Sequence, residues 1–511
     1  MKDLKLILII ILIFIGRAYA NKNHTENFQD VVLNGKITDS LIKELPGGHS
    51  RVVIIVSKYP FSDFGMEDAT HQKYELMAKY NEPFKLHISV PAKRFYMYLF
   101  YDMPNEVNWQ YLDNVYIIDQ GDNLRVELNN TGFKFWGKGA EKLNCETEIY
   151  KTSFKIGGDT DNAVLHPKEF KKYIEINNRK LDSCLFVQES IVEKYTPKMG
   201  KEMTEIMRTN CNGLRYYSEV LGYCGTSPFM PGLYEAVMAS NAYQHLNIFL
   251  NNRLGSDPNI LIQSPVYCDF LFEKIRFDSY HTINGVVDWP YILEKSFNTI
   301  KNNYHGVVRD KLLALFFLLY QRKSEHIMDY LKESITLSGS SIYKDVLLNL
   351  KSTQTKGIPF YPFELPNTQG KLVKLADFGQ KVVIVDFWFT GCENCINLHT
   401  RMKTIHDKYR DNPNVAFVSI SIDRDREKWE KSVAKATYTN PEDINLYTMG
   451  QADQHPLIKK YNIEAYPSVF ILKKGKIVTS TPPFPNGKSI NEGGTKDYVD
   501  MIEAAIADKS M

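Results

Sequence analysis

Short runs of β-branched and aromatic residues alternate with turn residues through the N-terminal part of the chain. Gly, Pro, Asn and Asp separate the runs Val31 to Ile37, Arg51 to Lys58, Phe84 to Val90, Phe95 to Tyr101 and Val115 to Leu128. Gly121-Asp122-Asn123 interrupts the last run, as a hairpin turn would. The pattern predicts a small β-sandwich over residues 28–145.

From His166 onward the apolar positions recur at helical spacing. Pro167 can begin the first helix, and Pro197 is expected to end it. Leu312 to Leu319 is wholly apolar, but it is far too short to span a bilayer and predicts a buried core helix. A helical domain is expected over residues 160–352, with further helices at Lys201 to Leu221, Leu233 to Leu254, Tyr291 to Asn303, Val307 to Gln321, Glu325 to Thr336 and Ile342 to Leu350.

Behind a polar connection at Lys351 to Pro359, predicted strands and helices alternate through residues 357–511. The predicted strands are Val382 to Phe387, Ala416 to Ile422, Ile444 to Met449, Ser468 to Lys473 and Lys476 to Ser480. The predicted helices are Cys392 to Tyr409, Arg426 to Lys435, Pro456 to Tyr461 and Thr495 to Ala507. This order, βαβ followed by ββα, is the layout of a thioredoxin fold.

The N-terminus is typical of a secretory signal. Lys2 and Lys5 precede the apolar run Leu6 to Ile15, and Ala18-Tyr19-Ala20 offers a cleavage site, so residues 1–20 are expected to be removed. A formal net charge of +2 over 511 residues gives no indication of a nucleic-acid partner. We therefore expect an exported protein of a bacterial periplasm or cell envelope.

Two thiols, in Cys392-Glu393-Asn394-Cys395, closely follow the predicted strand that ends at Phe387. The unpaired N–H groups and the positive end of a helix favour a thiolate at Cys392. Cys395 shares its helical face and is close enough to close a disulfide. The other cysteines do not make a disulfide scaffold and are interpreted mostly as small buried hydrophobes: Cys145, Cys184, Cys211, Cys224 and Cys268.

Zinc is the main alternative for this pair, because Cys392, Cys395 and His399 lie on one helical face. A structural zinc site needs four ligands, and the chain has no second Cys pair at short spacing. A c-type haem would need His directly after Cys395, where the chain has Ile396. A redox-active disulfide is therefore favoured, with no metal and no other cofactor.

The motifs around the dithiol resemble those of thioredoxin-like proteins of the TlpA/ResA branch. The motifs are Phe363 to Lys371, Val385-Asp386-Phe387-Trp388, the Cys-x-x-Cys, Val418 to Asp423 with Trp429, and Tyr461 to Phe470. The resemblance covers about the last third of the chain. The preceding β and helical segments resemble the accessory regions of Bacteroidetes-type envelope proteins, without diagnostic motifs.

This resemblance implies a role for each thiol. Cys392 attacks a substrate disulfide, and Cys395 resolves the mixed disulfide that forms. Asp386 is implied as the buried acid that assists deprotonation of Cys395, and its place on an apolar strand should raise its pKa. A strand-end aspartate bonded only to backbone is the alternative for this position.

The resemblance also implies a substrate groove beside the thiols. Pro467 would be a cis-proline facing the dithiol, with Tyr466 and Trp388 shaping the groove; an ordinary trans proline is the alternative. Glu393 and Asn394 are expected to tune the redox potential, because a negative Glu393 raises the pKa of the neighbouring nucleophile. A reducing rather than an oxidising site is hypothesised.

The sequence is compatible with three functions to different degrees. An exported protein-disulfide reductase is predicted, with protein disulfides as substrates, apocytochrome c among them, and a membrane thiol transporter as electron donor. A thiol peroxidase would need a Pro-x-x-x-Thr-x-x-Cys loop, but Thr390 lies two residues before Cys392. An envelope binding protein with a subsidiary redox module stays open, because the first two thirds of the chain carry no readable chemistry.

Overall fold

A computed structural model describes most of the chain beyond residue 29. The described residues are 30–61, 71–102, 115–129, 132–153, 167–224, 234, 237–238, 240–253, 257–283, 286–320, 327–339, 341–461, 463, 466–486, 489–491 and 493–509. The predicted signal sequence, residues 1–20, lies outside them. Within these ranges no helix combines the length and the apolar character needed to cross a bilayer.

The N-terminal part contains two four-stranded sheets. Their orders are β4-β1-β7-β8 and β3-β2-β5-β6. Apolar side chains of both sheets, such as Leu33 of β1 and Ile54 of β2, meet in one core. The strands are β1 (Val31–Ile37), β2 (His49–Ser57), β3 (His71–Lys79), β4 (Pro83–Ile88), β5 (Arg94–Tyr101), β6 (Tyr116–Asp119), β7 (Asn123–Asn129) and β8 (Gly132–Lys138).

All five predicted strand regions are strands here, and two strands were missed. The predicted break at Gly121 is confirmed, with φ +85° between β6 and β7, but the two strands lie in different sheets, so the turn does not form the expected hairpin. Strand β3 escaped prediction because it is a sheet edge with many polar residues. Strand β8 carries two glycines, which weaken the strand signal.

Helices fill the middle of the chain. They are α1 (Ala140–Ser153), α2 (Pro167–Met199), α3 (Lys201–Cys224), α4 (Asn241–Arg253), α5 (Pro258–Leu261), α6 (Tyr267–Ser279), α7 (Trp289–Asn303), α8 (Gly306–Tyr320), α9 (Ile327–Leu337) and α10 (Ile342–Gln354). Two short strands, β9 (Thr282–Ile283) and β10 (Val286–Val287), pair between α6 and α7. The apolar run Leu312 to Leu319 lies in α8, and most of its side chains are buried, so the predicted core helix is confirmed.

Three expectations for this part need correction. Pro197 does not end α2, which continues for two further residues to Met199, since a proline in the last turn disturbs only the end of the helix. Helix α6 was not predicted. Helix α1 begins inside the region assigned to the sandwich and runs past its predicted end at residue 145; its Cys145 packs with sheet residues and with Met207 of α3 in a shared core.

The C-terminal part is an α/β unit. Its elements are β11 (Glu364–Pro366), β12 (Leu372–Lys374), β13 (Val382–Trp388), α11 (Glu393–Tyr409), β14 (Val415–Ser421), α12 (Arg426–Ala434), β15 (Ile444–Tyr447), α13 (Pro456–Tyr461), β16 (Ser468–Lys473), β17 (Lys476–Thr479) and α14 (Gly493–Ala507). The main sheet has the order β15-β14-β13-β16-β17. Strand β13 is central, parallel to β14 and antiparallel to β16.

Strand β13 is covered on both faces. Val383 and Val385 point into one core, and Val382 and Ile384 point into another that includes side chains of α11 and α14. This double burial explains its continuous apolar sequence. The chain leaves the carboxyl end of β13 and enters α11 within four residues, and that crossing carries the dithiol.

Candidate redox site

The dithiol lies at the start of α11. Cys392 is the N-cap residue, with extended backbone angles, and its Sγ accepts a hydrogen bond from the N–H of Cys395 at 3.1 Å. The two sulphur atoms are bonded to each other, and the Cα atoms are 5.3 Å apart. Cys392 is 5% exposed and Cys395 2%, whereas Glu393 and Asn394 are exposed. Cys392 is therefore slightly the more exposed of the two cysteines.

The loop in front of the dithiol is held by a carboxylate. Thr390 donates hydrogen bonds to Asp423 from its backbone N–H (3.1 Å) and its hydroxyl (2.8 Å). The hydroxyl of Ser421 donates to the same carboxylate at 2.9 Å, and the hydroxyls of Thr390 and Ser432 are 2.8 Å apart. Sequence reasoning included Ser421 and Asp423 in the motif Val418 to Asp423 but missed their link to Thr390, which lies 33 residues before Asp423.

Aromatic rings form a floor beneath the dithiol. Trp388 stacks on Tyr438 with ring centroids 5.4 Å apart, and Trp429 stacks on Tyr447 at 4.9 Å. Trp388 was expected to contact substrate, but its side chain is fully buried. It ends a central strand that is covered on both faces, so it supports the dithiol from below.

The peptide bond between Tyr466 and Pro467 is cis, as the resemblance implied. Pro467 lines a small cavity together with Cys395 and Asp386. Tyr466 is half-buried; its hydroxyl donates to the carbonyl of Ile463 at 3.1 Å, and its ring meets Phe389 edge to face. The structure thus brings the predicted groove residues Tyr466 and Pro467 to the dithiol side of the sheet.

Asp386 lies behind Cys395. Its carboxylate accepts a hydrogen bond from the Ser419 hydroxyl at 3.2 Å. Desolvation, reinforced by the negative charge of Asp443, raises the pKa of Asp386 to about 8, although the Ser419 bond opposes the shift. The predicted rise is confirmed in direction, and the alternative of a purely backbone-bonded aspartate does not describe this side chain. At neutral pH the group can hold or give up a proton.

The cavity that Asp386 and Cys395 share has a volume of about 20 Å³. Two further titratable groups on its wall form a pair: Nδ1 of His406 and a carboxylate oxygen of Asp443 are 3.2 Å apart. His399 also lines the cavity, and burial lowers its pKa, with the nearby His406 adding to the effect. None of Asp443, His406 and Tyr498 was singled out from the sequence, because their approach depends on the tertiary fold.

The zinc alternative would need further ligands beside the two cysteines. Across the described ranges, no three His, Cys, Asp or Glu side chains are grouped as metal ligands. Cys392 and Cys395 are bonded to each other in this form, so neither sulphur is available as a thiolate ligand.

Comparison with known proteins places this region in a family. A thioredoxin-like family model matches residues 379–478. Thiol-disulfide oxidoreductase ResA of Bacillus subtilis is 24% identical over 169 residues, which are 32% of this chain and 85% of that protein. Protein SUPPRESSOR OF QUENCHING 1, chloroplastic, of Arabidopsis thaliana is 28% identical over 171 residues, and the match spans only 15% of that longer protein.

Among solved structures, the thioredoxin domain of a thiol-disulfide oxidoreductase from Bacteroides vulgatus is similar, with 23% identity. The match covers 30% of this chain and 99% of that domain, with a TM-score of 0.25. All of these matches concern about a third of the chain.

Proposed function

Because residues 379–478 form a thioredoxin-like domain, we propose that this protein is an exported thiol-disulfide oxidoreductase that reduces protein disulfides in the cell envelope. The observation that carries the proposal is the position of Cys392, an N-cap thiol in front of a resolving Cys395, with Asp386 on the wall of the same small cavity as Cys395. Thiol-disulfide exchange by a dithiol requires an accessible thiolate, a second thiol that resolves the mixed disulfide, and an acceptor for the proton of that second thiol.

The reaction runs in two exchange steps. The Cys392 thiolate attacks one sulphur of the substrate disulfide, forms a mixed disulfide and releases the other sulphur as a thiolate, which takes a proton from water. Cys395 then gives its proton to Asp386, attacks Sγ of Cys392 and releases the second substrate thiolate. The protein dithiol has lost two electrons, the substrate disulfide has gained them, and the form with the Cys392–Cys395 bond remains.

The local surroundings support this division of roles. The N–H of Cys395 and the first turn of α11 stabilise negative charge on Cys392. Cys395 is slightly more buried than Cys392 and shares a cavity with a carboxyl whose pKa is about 8. About a tenth of such a carboxyl is ionised at pH 7, and this fraction can accept the Cys395 proton, so resolution should become faster as the pH rises towards 8.

The direction of electron flow is part of the proposal. Glu393 is exposed beside Cys392, and its negative charge opposes the helix end, which favours a reducing potential. Apocytochrome c is a candidate substrate, and a membrane thiol transporter is a candidate donor. Export rests on the signal-like residues 1–20.

Insulin reduction with dithiothreitol as electron donor tests the proposal. The wild-type chain should accelerate the reaction, Cys392→Ser should abolish the acceleration, and the control Cys184→Ser should leave it intact, since Cys184 is a half-buried free thiol in α2. Equal rates for Cys392→Ser and the wild type would refute the proposed dithiol. A potential as high as that of a strong oxidant, measured in a glutathione buffer, would refute the reducing direction.

A further inference from the structure

The cavity behind Cys395 collects polar groups from several elements. Asp386 comes from β13, His399 and His406 from α11, Asp443 from the segment before β15, and Tyr498 from α14. Its volume of about 20 Å³ has room for one water molecule. The Tyr498 hydroxyl is buried, and within the described residues no hydrogen-bond partner reaches it.

The Asp443–His406 pair lies where this cavity approaches the surface. The two side chains are only 9% and 12% exposed, and their N–O contact is 3.2 Å. The His406 ring also stacks on Phe417, with centroids 3.9 Å apart, which fixes its orientation. The pair is therefore rigid and poorly hydrated, yet it retains an edge in contact with solvent.

The pair acts electrostatically on the acid of the site. The negative charge of Asp443 helps to raise the pKa of Asp386. The charge of Asp386 in turn helps to raise the pKa of Tyr498. His406 and Lys403, on the same helix, both act electrostatically on His399. Ser419 of β14 donates a hydrogen bond to Asp386. These groups approach Asp386 from β14, α11, α14 and the segment before β15.

We propose that Asp443 and His406 form a proton outlet that accepts the proton delivered by Cys395 to Asp386 and passes it to solvent. The inference rests on the proposed function and adds two residues to it. In the resolving step, the Cys395 S–H bond breaks and the proton moves to the Asp386 carboxylate. It then crosses the cavity to the His406–Asp443 pair and leaves to water, so Asp386 is again ionised before the next turnover. When a donor reduces the Cys392–Cys395 disulfide again, a proton moves along the same path from solvent to Cys395.

The steps of one turnover with a peptide that contains a single disulfide test this outlet. Attack by Cys392 is measured from the first peptide thiol released, and resolution by Cys395 from the second, between pH 5 and 9. Asp443→Asn and His406→Gln should each slow resolution about tenfold at pH 9, where most of Asp386 is ionised, and leave attack unchanged. Asp443→Asn should also move the pH profile of resolution to lower pH, because it removes a negative charge next to Asp386. Asp407→Asn, an exposed neighbour on α11 that pairs with Arg410, is the matched control.

The outcomes separate a failure of the proton outlet from a failure of the proposed function. Resolution rates and pH profiles in both variants equal to those of Asp407→Asn would overturn the outlet, while the oxidoreductase stands. Equal slowing of attack and resolution would also overturn it, because the pair would then only support the fold. A wild-type protein that releases neither thiol would contradict the proposed function, and the outlet would fall with it.

Discussion

The backbone N–H of Cys395 donates a hydrogen bond to Sγ of Cys392 at 3.1 Å. The contact exists because Cys392 is the N-cap of α11, so the free N–H groups of the first helical turn point at its sulphur. The same geometry that caps the helix stabilises a thiolate on Cys392. The same hydrogen bond therefore caps the helix and activates the nucleophile.

Glu393→Gln should make the dithiol more oxidising. The substitution removes an exposed negative charge from the first turn of α11, so the pKa of Cys392 falls, by an amount equivalent to about 0.3–1 kcal/mol. The redox potential then rises by about 10–20 mV for the two-electron couple. Equilibration with glutathione measures it. Glu427→Gln, in the first turn of α12, should leave the potential unchanged, and a fall in potential for Glu393→Gln would contradict the tuning role.

Asp386→Asn should change how stability depends on pH. The folded-state pKa of Asp386 is about 8 against an ordinary value of 3.8, so the folded protein binds this proton more tightly than the unfolded chain. The stabilising contribution is therefore complete below the ordinary value and is lost as pH rises to about 8, by at most about 1.4 kcal/mol per pH unit. The Asp386→Asn protein should lack this decrease in the free energy of unfolding with rising pH. Urea unfolding at pH 5 and pH 8 tests it, and identical slopes in both proteins would disprove the shifted carboxyl.

Asp423→Ala should both destabilise the domain and loosen the loop before the dithiol. It leaves the Thr390 N–H and hydroxyl and the Ser421 hydroxyl without their acceptor, at a cost of about 2–4 kcal/mol in the free energy of unfolding. Insulin reduction should slow as well.

Asp425→Ala is the matched control for that substitution. Asp425 caps α12 from an exposed position, so its loss should cost about 1 kcal/mol and leave insulin reduction intact. If Asp423→Ala keeps wild-type activity, the loop anchor has no part in the exchange reaction.

Thiol labelling should separate the reactive cysteine from the buried ones. In the reduced native protein, iodoacetamide should modify Cys392 first. The thiols of Cys145, Cys211 and Cys268 should react only after unfolding, because burial raises the pKa of each, to about 11 for Cys268. Peptide mapping by mass spectrometry reads the order. Early labelling of any of these three thiols would show that its core opens.

Sequence patterns located the C-terminal elements closely, because buried strands give continuous apolar runs and amphipathic helices give periodic ones. The bounds of α13 and β16 agree to the residue with those predicted. The N-terminal part was harder. Strand β3 is a sheet edge in which Tyr74, Leu76 and Ala78 face the core between mostly polar residues, and α1 packs under the sheets although its first residues were assigned to them.

The residues of the site also differ in how far the sequence could predict them. The dithiol and the cis-proline could be predicted because short motifs specify them. Trp388 was assigned to the substrate groove, since its sequence position alone does not show that both faces of β13 are covered. Asp423 ends a motif, but its bonds to Thr390 depend on tertiary packing. Asp443 and His406 line the cavity beside Cys395 through tertiary packing alone, so no local pattern could indicate them.

A mixed-disulfide trap tests the central claim most directly. Cys395→Ala protein, incubated with a peptide that contains one disulfide, cannot resolve the intermediate and should accumulate one covalently bound peptide. Mass spectrometry after digestion should place that peptide on Cys392. A protein that gains no peptide mass, or gains it on Cys184 instead, would contradict the account.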